Sequence, residues 1–325
     1  MTVPEARPQA VIIDCDPGVD DAFAILLAAA SPAIDLLAIT TVAGNHTVDR
    51  MTRNARRICS IAGIHGVPIA EGCSRPLVRD QIVAPQIHGS SGLGGVEFDG
   101  EPDVPVDSRH AVDLMIDTLM SRGDVKLVAL GPLTNVATAM RREPRIVRRI
   151  LRISLMGGAW GLGNFSPAAE FNILADPEAA RIVFESGVSI TMCGLELTRQ
   201  AVATAEVIER VAALGTPVAE MCASMLRFYA ETTSRRRRSF GPALHDPCAV
   251  AWLIDPGLFV TERMHVEVET NAEFSYGRTV VDVDDVLRLP FNVDVAVELD
   301  APRFWDLLVG ALATYRADVS GPSLG

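Results

Sequence analysis

Four carboxylates crowd into eight residues near the start of the chain: Asp14, Asp16, Asp20 and Asp21, within DCDPGVDD. One aspartate can cap a helix and a second can favour its dipole, but capping explains only two of the four. Carboxylates packed this closely raise one another's pKa unless a cation neutralises them. All-oxygen ligation of that kind suits calcium or magnesium rather than zinc.

The elements that must position these residues follow one pattern, an apolar run and then a helical stretch. The predicted strands are Ala10–Asp14, Leu36–Val42, Val125–Leu130, Leu151–Met156 and Val188–Met192. The predicted helices are Asp20–Ala30, Val48–Ala62, Ala111–Met120, Leu133–Arg141 and Pro177–Ser186. This alternation predicts an α/β fold, an open and mostly parallel sheet flanked by helices. Right-handed crossovers then gather the functional loops at the carboxyl ends of the strands. DCDPGVDD, AGN, GPLTN and MGGAWGLGNFSPAAEFN each follow a predicted strand, so they converge on one edge and form a pocket. Residues 260–269 and 278–284 alternate as a hairpin does, and residues 300–315 read as a terminal helix. The expectation is a single domain, 1–325, with a β-rich part from about residue 257.

An Asp-x-Asp after the first strand also occurs in phosphatases of the haloacid dehalogenase type, where the first aspartate is a nucleophile. Here Pro17-Gly18 follows Asp16, and the only lysine, Lys126, lies at a strand start, so no clear downstream lysine serves a phosphate and that reading weakens. The whole-chain numbers narrow the field further. Apolar residues make up 49% and aromatics 5%, enough Ala, Val, Ile and Leu for a sheet buried on both faces. A net charge of −12 disfavours nucleic acid and anionic membrane as partners. Six scattered cysteines, none in a CxxC pair, argue against a zinc ribbon and a disulfide scaffold. Neither a signal peptide pattern nor a long apolar span is seen, so a soluble cytoplasmic protein is expected.

DCDPGVDDAFAILLA, TTVAGN, IHGSSGLGG, GPLTNVA, MGG…GN…AEFN…DPEAA and HDPCAVA, in that order, resemble the inosine-uridine preferring nucleoside hydrolase family. The likeness runs from residue 11 to about 255. It implies calcium-dependent hydrolysis of ribonucleosides to base and ribose, as in nucleoside salvage, by a homodimer or homotetramer. Asp16, Asp21, Asp246 and the carbonyl of Leu130 would hold the calcium ion. Asp20, Asn45 and Asn172 would bind the ribose 2′- and 3′-hydroxyls, and Asn164 and Glu170 the 5′-hydroxyl. His88 and His245 would border the base, with Asp16 as general base toward water and His245 as acid toward the departing base. A histidine at 245, with no tryptophan in its place, resembles the uridine- and inosine-accepting branch.

Each role has a plainer competitor. His245 is also at home at a helix start, His88 could point to solvent, and Asn164 and Asn172 could satisfy turns. Trp160 could stack on a base or pack against its own loop. Arg235–Arg238 reads first as a solvated segment and second as part of a substrate lid with Tyr229. Glu196, in CGLELTRQ, stands where the family usually carries Asp. The rival function is a ribose or nucleoside binder that keeps the metal site without catalysis.

Overall fold

The first strand shows why both sheet faces are covered. In β1 (Gln9–Cys15) Val11, Ile13 and Cys15 enter one apolar core while Ala10 and Ile12 enter the other, the period-2 division of a strand buried on both faces. The structure, a computed structural model, describes residues 7–84, 87, 89, 91–98, 100–234 and 242–315. The other strands are β2 (Ile34–Thr41), β3 (Ile69–Glu71), β4 (Val125–Ala129), β5 (Ile150–Met156), β6 (Ile190–Cys193), β7 (Phe259–Val268), β8 (Thr279–Asp282) and β9 (Val293–Leu299).

They form one nine-stranded sheet in the order β3-β2-β1-β4-β5-β6-β9-β7-β8. The seven strands from β3 to β9 run parallel, and β7 and β8 are antiparallel additions. Strand order reverses between β1 and β4: the chain leaves β1 toward β2 and β3, then returns to build outward from β4. Loops leaving neighbouring strands in opposite directions open a crevice at their carboxyl ends, where open α/β sheets bind ligands.

Helices α1 (Val19–Ala30), α2 (Val48–Ala62), α3 (Ala111–Ser121) and α4 (Thr134–Arg142) match the expected stretches within two residues. After β5 come α5 (Phe171–Ala175) and α6 (Pro177–Phe184). After β6 come α7 (Leu195–Thr198), α8 (Ala205–Ala212), α9 (Pro217–Ser234) and α10 (Pro247–Ile254), and α11 (Ala301–Leu312) ends the described chain. The β7–β8 hairpin is also as expected. Strands β3 and β9 add to the expectation: three residues are too few to show a period, and β9 reveals its place only by pairing with β6 and β7.

Helix α1 carries the acidic cluster and is wholly buried from Val19 to Ala28, wedged between the sheet and α10. A helix apolar on all sides can sit only in such a place. Its first turn is therefore anchored directly at the end of β1.

Candidate active site

The backbone carries most of the information at the end of β1. Gly18 is the N-cap of α1 and has no side chain to cap with, so Asp21, three residues on, accepts the Gly18 N–H at 2.8 Å and the Asp16 N–H at 3.2 Å. That is half of the capping reading, and it holds for Asp21. Asp16 has a different task. Its Oδ2 accepts the Asn45 N–H at 2.7 Å, and the Asn45 amide returns a bond to the Asp16 carbonyl at 2.9 Å. Its Oδ1 is buried and has no hydrogen-bond partner among the described residues. A Cβ on Gly44 or on Gly131 would collide with this carboxylate, so the glycines of AGN and GPLTN are the residues that let it sit there.

Asp20, Asp21 and Asp246 bring carboxylate oxygens within 4.8 Å of one another, all buried. Asp246 occupies the N-cap position of α10 yet makes no capping bond, so its carboxylate faces the cluster instead. Burial, followed by the charge of Asp21, pushes the Asp16 carboxyl well above its ordinary value. Burial and the charges of Asp20, Asp21 and Asp16 do the same to Asp246. Asp21 is raised to about 7 by burial and Asp20, against the N–H groups that hold it down. No lysine or arginine is among the groups that act most strongly on these three carboxylates. Buried carboxylates with no lysine or arginine among their main described neighbours, one with an oxygen unpaired among those residues, fit a hard divalent cation. The mutual cluster contains Asp20 in addition to the expected Asp21 and Asp246, with Asp16 beside it.

The neighbouring strand end supplies the next groups. The Leu130 carbonyl, just after β4, accepts the Asn172 amide at 2.6 Å, and the same amide reaches the Met156 carbonyl at 3.1 Å. Glu170 caps α5: it accepts the N–H groups of Asn172, Gly158 and Ile173 at 2.9, 3.0 and 3.2 Å. Burial raises its carboxyl to about 7 despite these donors. The Asn164 Oδ1 accepts the Phe171 N–H at 2.9 Å, which ties the loop after β5 to the start of α5. The turn-satisfying roles of Asn164 and Asn172 are thus real, and both side chains still line the cavity.

That cavity has a volume of about 420 Å³. Asp20, Asn45, Leu130, Glu170, Asp246 and His245 all border it, so most of the sequence-selected residues meet in one space. Asp16 and Asp21 lie beneath this lining. His245 Nδ1 is 2.7 Å from Thr198 Oγ1, which fixes the plane of the ring at the cavity wall. Tyr229, buried on α9, lies on the wall as well. Trp160 packs against the core and is not among the lining residues, so the stacking role gives way to the packing one. His88 and Arg235–Arg238 lie outside the described residues.

Several contributors escape a reading of motifs. Asp14 faces away from the cavity: its Oδ1 accepts Thr40 Oγ1 at 2.6 Å and the Asn135 amide at 2.8 Å. Asn135 in turn donates to the Thr41 carbonyl and accepts the Cys73 N–H, so the asparagine of GPLTN locks three strand ends together. Burial raises Asp14 to about 7. Thr198, Arg199, Leu162 and Phe165 also belong to the site or its frame; they lie inside CGLELTRQ and the MGG…AEFN loop, where residue type alone gives them no role.

Comparisons with known proteins agree with this geometry. Residues 11–306 match the family described as inosine-uridine preferring nucleoside hydrolase. An inosine-uridine preferring nucleoside hydrolase of Leishmania major is 48% identical over 307 residues, covering 94% of this chain and 98% of that protein. A pyrimidine-specific ribonucleoside hydrolase, RihB, of Shigella sonnei (strain Ss046) is also 48% identical, covering 94% and 97%. The solved structure of a purine-preferring ribonucleoside hydrolase from Gardnerella vaginalis superposes with a TM-score of 0.88 at 34% identity, covering 95% of this chain and 99% of that one. A cavity at the switch point of a parallel sheet, floored by buried aspartates and matched along nearly the whole chain, places this protein in the inosine-uridine preferring nucleoside hydrolase family, as a nucleoside hydrolase.

Proposed function

We propose that the chain hydrolyses the N-glycosidic bond of free ribonucleosides with the help of a calcium ion, in nucleoside salvage. The observation that carries this reading is one cavity bordered by Asp20 and Asp246 together with His245, with the unpartnered Asp16 Oδ1 buried against its floor. Asp16, Asp21, Asp246 and the Leu130 carbonyl would hold the cation, with Asp20 in reach of the same cluster. When bound, the ion supplies charge neutralisation, a grip on the ribose diol and a lowered pKa for water.

The chain's own groups do the rest. Asp20, Asn45 and Asn172 receive the 2′- and 3′-hydroxyls, while Asn164 and Glu170 receive the 5′-hydroxyl. Asp16 takes a proton from the attacking water as its oxygen bonds to the anomeric carbon. The C–N bond breaks with its electrons going to the base, and the surrounding carboxylates and amide oxygens stabilise the positive charge that develops on the sugar. His245, its ring held by Thr198, protonates the departing base.

A setting in the cytoplasm agrees with six free thiols, five of them buried. Assembly into a homodimer or homotetramer is supported by the exposed apolar side chains of Val280, Val283, Val286, Leu287, Leu289 and Phe291, gathered on edge strand β8 and the segment after it. A panel of purine and pyrimidine ribonucleosides, assayed for free ribose with and without calcium, tests the function. Release of ribose only with the metal is expected, and binding without ribose release would refute catalysis.

A further inference from the structure

The loop from Gly157 to Ala169 has no regular secondary structure, yet it must present Asn164 to the cavity. Its middle is exposed, Leu162 by 54% and Phe165 by 40%, while Trp160 before it packs against the core. Thr279 and Arg278 bond Ala159 and the Trp160 carbonyl, and two charged side chains, from α7 and the residue just after it, bond the backbone that follows. Glu196 accepts the Trp160 N–H at 3.2 Å through Oε2 and the Gly161 N–H at 2.9 Å through Oε1. Arg199, one turn later, donates through Nη2 to the carbonyls of Leu162 at 3.0 Å and Gly163 at 3.1 Å. Donors and acceptors of four consecutive residues are thus taken up in order, and the fifth residue is Asn164. Gly161 belongs to the same device, because a Cβ there would come within 3.0 Å of Glu196 Oε1.

We propose that Glu196 and Arg199 are positioning residues for the ribose 5′-hydroxyl: together they clamp residues 160–163 and so set where Asn164 meets the sugar. The proposal rests on Asn164 contacting that hydroxyl, as stated above. Charge-assisted bonds are the stronger kind, and four of them fix the backbone of a stretch in which two of four residues are glycine. Glutamate has the reach to satisfy two successive N–H groups with separate oxygens. Glutamine is uncharged and replaces one of those oxygens with an NH2 donor, so it serves the pair less well.

The test compares inosine with 5′-deoxyinosine, which lacks the group that Asn164 would hold. Asn164→Ala, Glu196→Ala and Arg199→Ala should each lower kcat/KM on inosine by about 10- to 100-fold, the scale of a misplaced contact. On 5′-deoxyinosine the same variants should lose less than about 3-fold, since no interaction remains to be lost. Glu196→Gln should fall between wild type and Glu196→Ala on inosine. Adding Glu196→Ala to Asn164→Ala should cost little more than Asn164→Ala alone, because both remove one interaction. If Asn164→Ala is selective but Glu196→Ala and Arg199→Ala slow both substrates alike, or neither, the clamp is refuted while the role of Asn164 stands. If Asn164→Ala itself slows both alike, the role and the clamp fall together.

Discussion

The two ends of the cavity are built in different ways. At the carboxylate end Asp16 and Asp21 are fully buried and Asp20 and Asp246 nearly so, and they sit on strand ends and helix starts. Their geometry is set by backbone N–H groups and by glycines that admit the carboxylates. At the other end the wall is made of loop side chains such as Leu162 and Phe165, of Tyr229 on α9, and of His245, whose ring meets Thr198. The geometry of the first end is set by the sheet itself. The second can vary without disturbing the sheet. Two relatives, each 48% identical to this chain, are named inosine-uridine preferring in one case and pyrimidine-specific in the other.

If the carboxylate end grips the ribose diol, damage there should be severe and indifferent to the base. Removing the metal with a chelator should abolish turnover, and calcium should restore it. A 2′-deoxynucleoside should be disfavoured by about 10⁴-fold, since a buried polar site rejects a substrate that leaves it unpaired. Comparable kcat/KM values for uridine and deoxyuridine would break the contrast between the two ends.

Substitution of His245 should hurt less, and selectively. His245→Ala is expected to cost about 10²- to 10⁴-fold on uridine or inosine, the range of acid catalysis. On the riboside of p-nitrophenol, whose leaving group needs no proton, the loss should be far smaller. Asp16→Asn should depress both kinds of substrate alike. Equal losses in His245→Ala would mean that the ring orients the base and that the proton comes from another group.

The metal-free protein should reveal the carboxylate end through its stability. Asp14, Asp21 and Glu170, at about 7 in the folded chain, keep protons that the unfolded chain releases near pH 4. Stability from these groups is complete below their unfolded values and is lost as pH rises through about 7. In chelator, the melting temperature should therefore drop by roughly 5 °C or more between pH 5.5 and pH 8. Calcium should remove much of that drop by taking the place of the protons on Asp21. Identical pH profiles with and without calcium would show that the cluster does not bind it.

The smallest effect belongs to the outer wall. Phe165→Ala removes a half-exposed ring that makes a tilted contact with Phe171, 5.2 Å between centroids. It should change kcat/KM by about 3- to 10-fold and shift the ratio of purine to pyrimidine turnover, as apolar pocket contacts do. A shift in ribose discrimination instead would mean that the ends are not independent.

The local chain determined much of this protein. Apolar runs followed by amphipathic stretches specify five strands and five helices, since burial on both sheet faces demands continuous apolar strands. Aspartates crowded after the first strand already require a cation or a proton, whatever surrounds them. Only the tertiary structure decided which aspartate does what. Strand alternation alone would put Asp14 and Asp16 on one face. The chain leaves the strand after Cys15, so Asp14 turns to Thr40 and Asn135 while Asp16 turns to Asn45. The order reversal between β1 and β4, the place of β9 between β6 and β7, and the meeting of Thr198 with His245 are also beyond local reading. Each joins segments far apart in sequence, and long-range pairing leaves no period or spacing in the residues that take part.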